Sequence, residues 1–96
     1  MIRHVVARGR VQGVGYRAFV EEEALRRGLE GWVRNRRDGT VEAAFSAADE
    51  TMAAMLEACR RGPPAARIEA VDVAEGDSTL LARRRPGERF SVLATA

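Results

Sequence analysis

The nonapeptide G-R-V-Q-G-V-G-Y-R, Gly9 to Arg17, lies between a β-like run and a helical pattern. Its three glycines stand at alternate or nearly alternate positions, which predicts a loop with unusual backbone dihedral angles or close contact with another group. Ile2 to Arg8 carries Ile, Val, Val and Ala, so we predict a strand there. The chain therefore begins with a strand, a glycine-rich loop and a helix.

The helix that follows the loop is predicted over Arg17 to Arg27, with arginines in its last turn. Gly28 is expected directly after its C-cap. Its apolar stripe consists of Phe19, Val20 and Ala24, with Leu25 at the flank. Two acid-first pairs at i,i+4 spacing are expected to support it. These pairs are Glu22 with Arg26 and Glu23 with Arg27.

A β-hairpin is predicted over Glu30 to Phe45, around Asp38-Gly39. A two-residue turn would put Val33 and Val41 on opposite faces of the sheet. A three-residue loop, 37–39, with Gly39 left-handed, brings both valines to one face, and we predict this register. One face then holds Val33, Asn35, Val41, Ala43 and Phe45, and the other holds Trp32, Arg34, Glu42 and Ala44. Arg34 lies opposite Glu42 in this register, which predicts an ion pair.

A second helix is predicted over Ala48 to Arg61, and Gly62-Pro63-Pro64 ends it. Its apolar residues fall at i, i+3, i+4 and i+7. They are Met52, Met55, Leu56 and Cys59. Ser46 and Asp49 have the spacing of a capping box, with Asp in place of Glu or Gln.

The last third of the chain is predicted to hold two strands, Ile68 to Glu75 and Phe90 to Ala94. The segment between them is polar and contains Arg83-Arg84-Arg85. The predicted order is β-α-β-β-α-β. This order favours one α+β domain over residues 1–96, a two-layer sandwich with both helices on one face of an antiparallel sheet.

The glycine-rich loop is a candidate anion site. A helix start presents unpaired N–H groups and the positive end of the helix dipole. Glycines let a ligand approach those groups, and Arg17 adds a guanidinium that binds two phosphate oxygens at once. The alternative is a tight connection with a solvated arginine. The spacing matches neither a Walker A loop nor a dinucleotide-binding fingerprint.

Asn35 is the second candidate, because it ends an apolar strand face where Val or Ile is expected. An amide donates and accepts hydrogen bonds simultaneously, which suits the positioning of a water molecule. The alternative is a hairpin-end residue that satisfies the turn.

Other chemistries have little support in this sequence. The single cysteine, Cys59, excludes an intrachain disulfide, and its position on an apolar stripe predicts a buried, inert thiol. The spacing allows a catalytic pair of Cys59 with the single histidine, His4, but nothing in the sequence supports it. Metal-binding spacings are absent, so we expect no metal. The apolar content of 46%, the net charge of +2 and the charged N-terminal segment predict a cytoplasmic protein without a membrane span.

The motifs G-R-V-Q-G-V-G-Y-R, residues 9–17, and G-W-V-R-N-R-R-D-G-T-V-E, residues 31–42, resemble the acylphosphatase family. The resemblance covers essentially the whole chain and implies a ferredoxin-like sandwich that hydrolyses acyl phosphates without a cofactor. It implies that Arg17 and the backbone N–H groups of the loop bind the phosphate, and that Asn35 orients the attacking water. The loop groups are those of Gln12, Gly13, Val14, Gly15, Tyr16 and Arg17. The implied partner is a small acyl phosphate, bound by a monomer.

The sequence departs from the family pattern in two places. Arg36 and Arg37 follow Asn35, and we expect them to make the rim of the site more basic. The polar segment 76–89 and the final strand are only loosely similar to the family.

The sequence leaves two alternative functions open. The first is an RNA-binding module, although neither central strand has the aromatic motif on which such modules stack bases. The second is a non-catalytic anion-binding domain, because a fold does not prove turnover. We expect no nucleic acid partner.

Overall fold

The computed structural model describes residues 1–96 and contains a five-stranded sheet with three helices. In chain order the elements are β1 (Ile2–Arg10), α1 (Tyr16–Arg26), β2 (Glu30–Asn35), β3 (Val41–Ser46), α2 (Asp49–Arg61), β4 (Arg67–Glu75), α3 (Ser78–Leu81) and β5 (Phe90–Val92). The strands lie in the order β4-β1-β3-β2-β5. The predicted ferredoxin-like α+β class is confirmed. None of the helices has the length and apolar composition that crossing a bilayer requires.

The sheet topology brings two strand ends together. β1 and β2 both pair antiparallel with the central strand β3, so they run in the same direction. Val41, at the start of β3, lies between Ala7 of β1 and Asn35 of β2. The loop that follows β1 and the hairpin that follows β2 therefore leave the sheet at the same edge.

The hairpin has the predicted register. Val33 pairs with Ala43, and Asn35 pairs with Val41. Gly39 has a φ of 91°, as the three-residue loop requires. This register sends every second residue into the core beneath α1 and α2. The core side chains from the hairpin are Val33, Val41, Ala43 and Phe45.

The second helix contributes a core stripe of the predicted kind. Met52, Met55 and Cys59 are buried, and Leu56 packs against them from the margin. The prediction of a capping box is wrong, because Ala48 is the N-cap residue and no side chain caps the helix. Ser46 instead ends β3.

The first helix differs from its prediction in its ion pairs. Glu23 pairs with Arg27 at 3.0 Å as expected, but Arg26 also turns to Glu23, at 2.6 Å, and leaves Glu22 without a partner. Glu23 is buried and attracts a third arginine, Arg61 of α2, at 3.3 Å. A buried carboxylate therefore gathers arginines from two helices.

Two features of the C-terminal third differ from the sequence prediction. β5 pairs parallel with β2, which makes the sheet mixed rather than antiparallel throughout. The short α3 lies on the face opposite α1 and α2, where Trp32 donates from Nε1 to the Leu80 carbonyl at 2.8 Å. Packing of α3 on this face accounts for the full burial of Trp32, which lies on the face opposite the predicted apolar one.

Candidate active site

The loop between β1 and α1 has an alternating backbone. Gly13 and Gly15 have φ values of 73° and 80°, whereas no residue other than glycine has a positive φ. Such alternation turns successive N–H groups toward one concave side, which makes an anion-binding nest. Gly15 is also the N-cap residue of α1 and supplies no side-chain cap. Gly13 and Gly15 thus allow the backbone conformation that an anion site requires.

The N–H groups of the loop have no acceptor within the chain. No turn, loop or cap hydrogen bond uses an N–H of residues 12–17 as donor. Tyr16 and Arg17 also begin α1, where the helix dipole adds positive potential. A bound anion would supply the acceptors that these N–H groups lack within the chain, and it would thereby stabilise this loop.

Arg17 and Asn35 are brought to the same pocket. The pocket has a volume of about 180 Å³. Its lining residues are Val11, Gly13, Gly15, Tyr16, Arg17, Ala18 and Asn35. No ion pair of the structure involves Arg17, so its guanidinium is available to a ligand. The pocket therefore combines main-chain donors, one guanidinium and one amide.

Asn35, which lines this pocket, has an unused side-chain acceptor. Its side-chain Oδ1 is buried and has no hydrogen-bond partner within the chain. A buried polar atom without a partner costs about 1–3 kcal/mol, which a hydrogen-bonded water or substrate group would relieve. The main-chain carbonyl of Asn35 accepts from the Ala96 N–H at 3.0 Å, which holds the strand end in place. The amide oxygen is thus presented by a fixed backbone.

Tyr16 anchors the start of α1 and does not act as a base. Its hydroxyl donates to the Cys59 carbonyl of α2 at 2.8 Å, and its ring stacks on Phe19 at 6.3 Å between centroids. Burial raises the pKa of Tyr16 well above its ordinary value. The phenol therefore stays protonated and fixes the helix start from below.

Gln12 has a side-chain contact that sequence analysis missed. Its Nε2 donates to the carbonyls of Arg36 and Thr40, at 2.7 and 2.8 Å. The sequence assigned Gln12 only a main-chain role. The signal was weak, because the acceptors are main-chain atoms that carry no sequence signature.

Gly9 does not belong to the loop. It lies in β1, at an irregularity of the β1–β4 pairing between Arg8 and Gly9. A Cβ at this position would meet the Arg67 carbonyl oxygen at 2.2 Å. The first glycine of the motif is therefore required by the sheet, and the anion-binding part of the motif begins after Arg10.

Arg36 and Arg37 do not line the pocket of Arg17 and Asn35. They line a separate cavity of about 340 Å³ together with Arg34. Arg34 directly precedes Asn35 in β2, so its side chain leaves the opposite face of the sheet. Arg36 follows the last residue of β2 and begins the hairpin loop. Neither Arg36 nor Arg37 lines the pocket of Arg17 and Asn35, and the expectation of a more basic rim stays a prediction.

His4 and Cys59 lie on opposite sides of the sheet, so they form no catalytic pair. His4 Nε2 contacts Glu42 Oε2 at 2.7 Å, and the predicted Arg34–Glu42 ion pair is present at 2.7 Å. Cys59 is buried in the helical core, and burial raises the pKa of its thiol to about 12. The prediction that Cys59 is buried is confirmed, and its inertness stays a prediction. No three His, Cys, Asp or Glu side chains converge in the chain.

Comparisons with known proteins agree with this geometry. A family model described as Acylphosphatase matches residues 3–85. A protein named Acylphosphatase from Rhodopseudomonas palustris (strain BisB18) is 56% identical over 95 residues, covering 99% of this chain and 96% of that protein. Another of that name, from Bradyrhizobium diazoefficiens, is 55% identical over 94 residues, covering 98% and 95%.

A solved structure gives the same result for the fold. The crystal structure of acylphosphatase from Bacillus subtilis superposes with a TM-score of 0.81 at 37% identity, covering 97% of this chain and 99% of that chain. The family match contains the loop, Arg17 and the hairpin with Asn35.

Proposed function

This chain belongs to the acylphosphatase family and is an enzyme of that activity, and we propose that Arg17, the loop N–H groups and Asn35 perform the hydrolysis. The substrate is a small acyl phosphate, and the products are a carboxylate and inorganic phosphate. The observation that supports these roles is the single pocket lined by the loop, Arg17 and Asn35, whose side-chain Oδ1 has no hydrogen-bond partner within the chain.

The phosphate group binds in the loop. The N–H groups of Gln12 to Arg17 donate to its oxygens, and the guanidinium of Arg17 makes a bidentate contact. In phosphoryl transfer the negative charge is shared over the equatorial oxygens of the transition state. Donors that are fixed before the reaction stabilise this charge without reorganisation, and they supply most of the acceleration.

The attacking water is oriented by Asn35. Its Oδ1 accepts one hydrogen from the water and directs an oxygen lone pair at phosphorus. The bond between the new oxygen and phosphorus forms while the bond from phosphorus to the acyl oxygen breaks, and the electron pair leaves with the carboxylate. Because a carboxylate is a good leaving group, positioning carries the step without a strong base.

The proton of the water goes to a phosphate oxygen of the substrate. No histidine or carboxylate lines the pocket, and Tyr16 remains protonated. A solvent isotope effect measured on kcat tests this step. An effect incompatible with transfer to the substrate would contradict it, and reaction in ¹⁸O-water should label phosphate rather than the carboxylate.

We propose further that residues 1–96 act as one domain, as a monomer, in the cytoplasm and without metal. All groups assigned above come from one chain, and all the chemistry can be performed by N–H groups, a guanidinium and an amide. Cys59 is the only cysteine and is buried, so it stays reduced and unpaired.

The test is hydrolysis of benzoyl phosphate, followed by ultraviolet absorbance in the presence of a chelator. The wild type is compared with Arg17→Gln, Asn35→Ala and Arg10→Gln. Arg10 is the matched control, because it is an exposed arginine next to the loop and outside the pocket. Chelator-insensitive turnover that is lost in the first two variants and kept in the third is expected.

Two outcomes would overturn this proposal. Turnover that disappears with the chelator and returns with a metal would contradict the metal-free mechanism. No turnover by a folded wild type that still binds phosphate would make the chain a non-catalytic anion-binding domain.

A further inference from the structure

We infer that Gln12 is a positioning residue, because its side chain sets the distance between the phosphate-binding loop and Asn35. This inference rests on the proposed function. Its structural basis is a pair of hydrogen bonds, here called the Gln12 bridge: Nε2 donates to the Arg36 carbonyl at 2.7 Å and to the Thr40 carbonyl at 2.8 Å.

The Gln12 bridge closes the neck of the hairpin loop. The Arg36 carbonyl also accepts from the Gly39 N–H at 3.1 Å, and the Thr40 carbonyl also accepts from the Arg36 N–H at 2.9 Å. Each carbonyl therefore accepts two hydrogen bonds, one from inside the hairpin and one from Gln12. Both Nε2 hydrogens are used, so no other conformation of this amide satisfies the same acceptors.

No other hydrogen bond joins the loop, residues 11–15, to the hairpin loop, residues 36–40. The ladder between β1 and β3 ends with the pairing of Ala7 and Val41, before the loop begins. Gln12 lies directly in the anion-binding backbone, and Arg36 directly follows Asn35. A single side chain thus connects the group that would hold phosphate to the group that would hold water.

The bridge acts on the relative position of two parts, not on either part alone. The loop conformation is set by Gly13, Gly15 and the start of α1, so phosphate binding depends only weakly on the Gln12 bridge. The angle of attack depends on where Asn35 lies relative to the phosphate, and an error of about 1 Å is costly in rate. We therefore expect loss of the bridge to lower kcat and to leave phosphate affinity nearly unchanged.

The first variants are Gln12→Met and Gln12→Glu. Methionine has similar length and no donor, and it should lower kcat on the order of 10-fold while the inhibition constant of inorganic phosphate changes less than about threefold. Glutamate donates one hydrogen bond only when it is protonated. Its kcat relative to wild type should therefore rise as the pH is lowered from 8 to 5, which a purely structural defect would not produce.

Leu80→Ala is the control for stability. Leu80 lies on α3, on the face of the sheet opposite α1 and α2, and its carbonyl accepts from Trp32 Nε1. Leu80→Ala should lower the melting temperature. It should not lower kcat while the inhibition constant of phosphate stays unchanged, which is the pattern expected of Gln12→Met. If Gln12→Met behaves like Leu80→Ala, or keeps the full kcat, the positioning role is wrong.

A second measurement is independent of turnover. The chain has one glutamine and one asparagine, so the ¹⁵N–¹H spectrum contains only two carboxamide NH₂ pairs, from Gln12 and Asn35. The Gln12 pair should exchange with solvent at least about 10-fold more slowly than in the unfolded chain, because both hydrogens are bonded. The Asn35 pair should respond to inorganic phosphate, and in Gln12→Met it should broaden or double.

Together, turnover and NH₂ exchange distinguish a failure of the proposed function from a failure of the Gln12 bridge. A protected Gln12 pair in a protein that does not hydrolyse benzoyl phosphate contradicts the proposed function and retains the bridge. Turnover by a wild type whose Gln12 pair exchanges as fast as in the unfolded chain overturns the bridge and retains the function.

Discussion

The two side chains in the pocket have different tasks at the scale of single residues, and kinetics can separate them. Arg17 would contact the phosphate in the ground state and in the transition state, so Arg17→Gln should weaken both substrate binding and phosphate inhibition. Asn35 would contact only the water. Asn35→Ala should therefore lower kcat on the order of 10²-fold and change the inhibition constant of phosphate by less than about twofold.

Inhibition by inorganic phosphate, measured beside the kinetics, checks this difference. Equal loss of phosphate affinity in both variants would assign Asn35 to phosphate binding. Full activity of Asn35→Ala would contradict its water-positioning role.

Asn35 could be found from sequence because an amide at the end of an apolar strand face conflicts with the pattern around it. Arg17 could be found because it follows three glycines at a helix start. The contact of Gln12 could not, since its acceptors are carbonyls whose positions depend on the tertiary pairing of β1, β2 and β3. Residue identity alone predicts a side chain's chemistry and not its main-chain partners.

At the scale of elements, local patterns predicted the hairpin well. Its register followed from alternation and from a glycine that tolerates positive φ, both of which lie within residues 30–45. The parallel β2–β5 pair joins segments far apart in the chain, and α3 has four residues, too few for a helical period. These elements are set by tertiary packing around Trp32, which no short window of sequence records.

The glycines of the first motif should differ in what they support. A Cβ at Gly9 would meet main-chain atoms of β4, at 2.2 Å from the Arg67 oxygen and 2.8 Å from the Glu69 nitrogen. The strand cannot move away without breaking the ladder, so Gly9→Ala should cost about 3 kcal/mol of unfolding free energy. Gly13 faces open space, and Gly13→Ala should cost about 1 kcal/mol, from its positive φ alone.

Urea denaturation measures these costs, and phosphate titration supplies the second readout. Gly13→Ala should lose phosphate affinity, whereas Gly9→Ala should keep it in the fraction that folds. Equal stability of the two variants would contradict the separation of sheet and loop glycines.

The contact between α1 and α2 should depend on pH through Glu23. Burial alone would raise the pKa of Glu23, but its hydrogen bond with Arg27 and the charges of Arg26, Arg27 and Arg61 outweigh it and lower the pKa. A lowered pKa in the folded state stabilises the protein above the ordinary value of 4.5, and this contribution is lost as the pH falls through the folded-state value.

Glu23→Gln should therefore lower the melting temperature by roughly 5 °C at pH 7, and the difference from wild type should shrink below about pH 4. Thermal unfolding followed by circular dichroism from pH 3 to 7 checks this. Glu22→Gln is the matched control on the same helix, because Glu22 has no ion-pair partner. A difference that persists unchanged at pH 3 would contradict the ionic origin.

At the scale of the whole molecule, helices lie on both faces of the sheet, and the pocket lies at the edge where the loop after β1 and the hairpin leave the sheet. α1 and α2 cover one face, and α3 covers Trp32 on the other. Tyr16 joins the start of α1 to α2 through the Cys59 carbonyl. The pocket is therefore built onto the core, and ligand binding should stabilise the whole fold.

Cys59 offers a direct measure of that coupling. The thiol is 1% exposed, and burial raises its pKa to about 12, so the folded protein should present almost no reactive thiolate at pH 8. A thiol reagent should then modify Cys59 only from the unfolded state. A ligand that binds only the folded state at about 100 times its dissociation constant adds about 2.7 kcal/mol, so saturating phosphate should slow modification about 100-fold.

Arg17→Gln should abolish this protection at the same phosphate concentration, whereas Arg10→Gln should retain it, and chloride at equal ionic strength should give none. Rapid modification of the native wild type would show that Cys59 opens locally, without global unfolding. Equal protection in Arg17→Gln and wild type would mean that phosphate stabilises the protein at a site other than the loop. Slow modification that phosphate slows further, and only while Arg17 is present, would connect the pocket to the stability of the entire sheet.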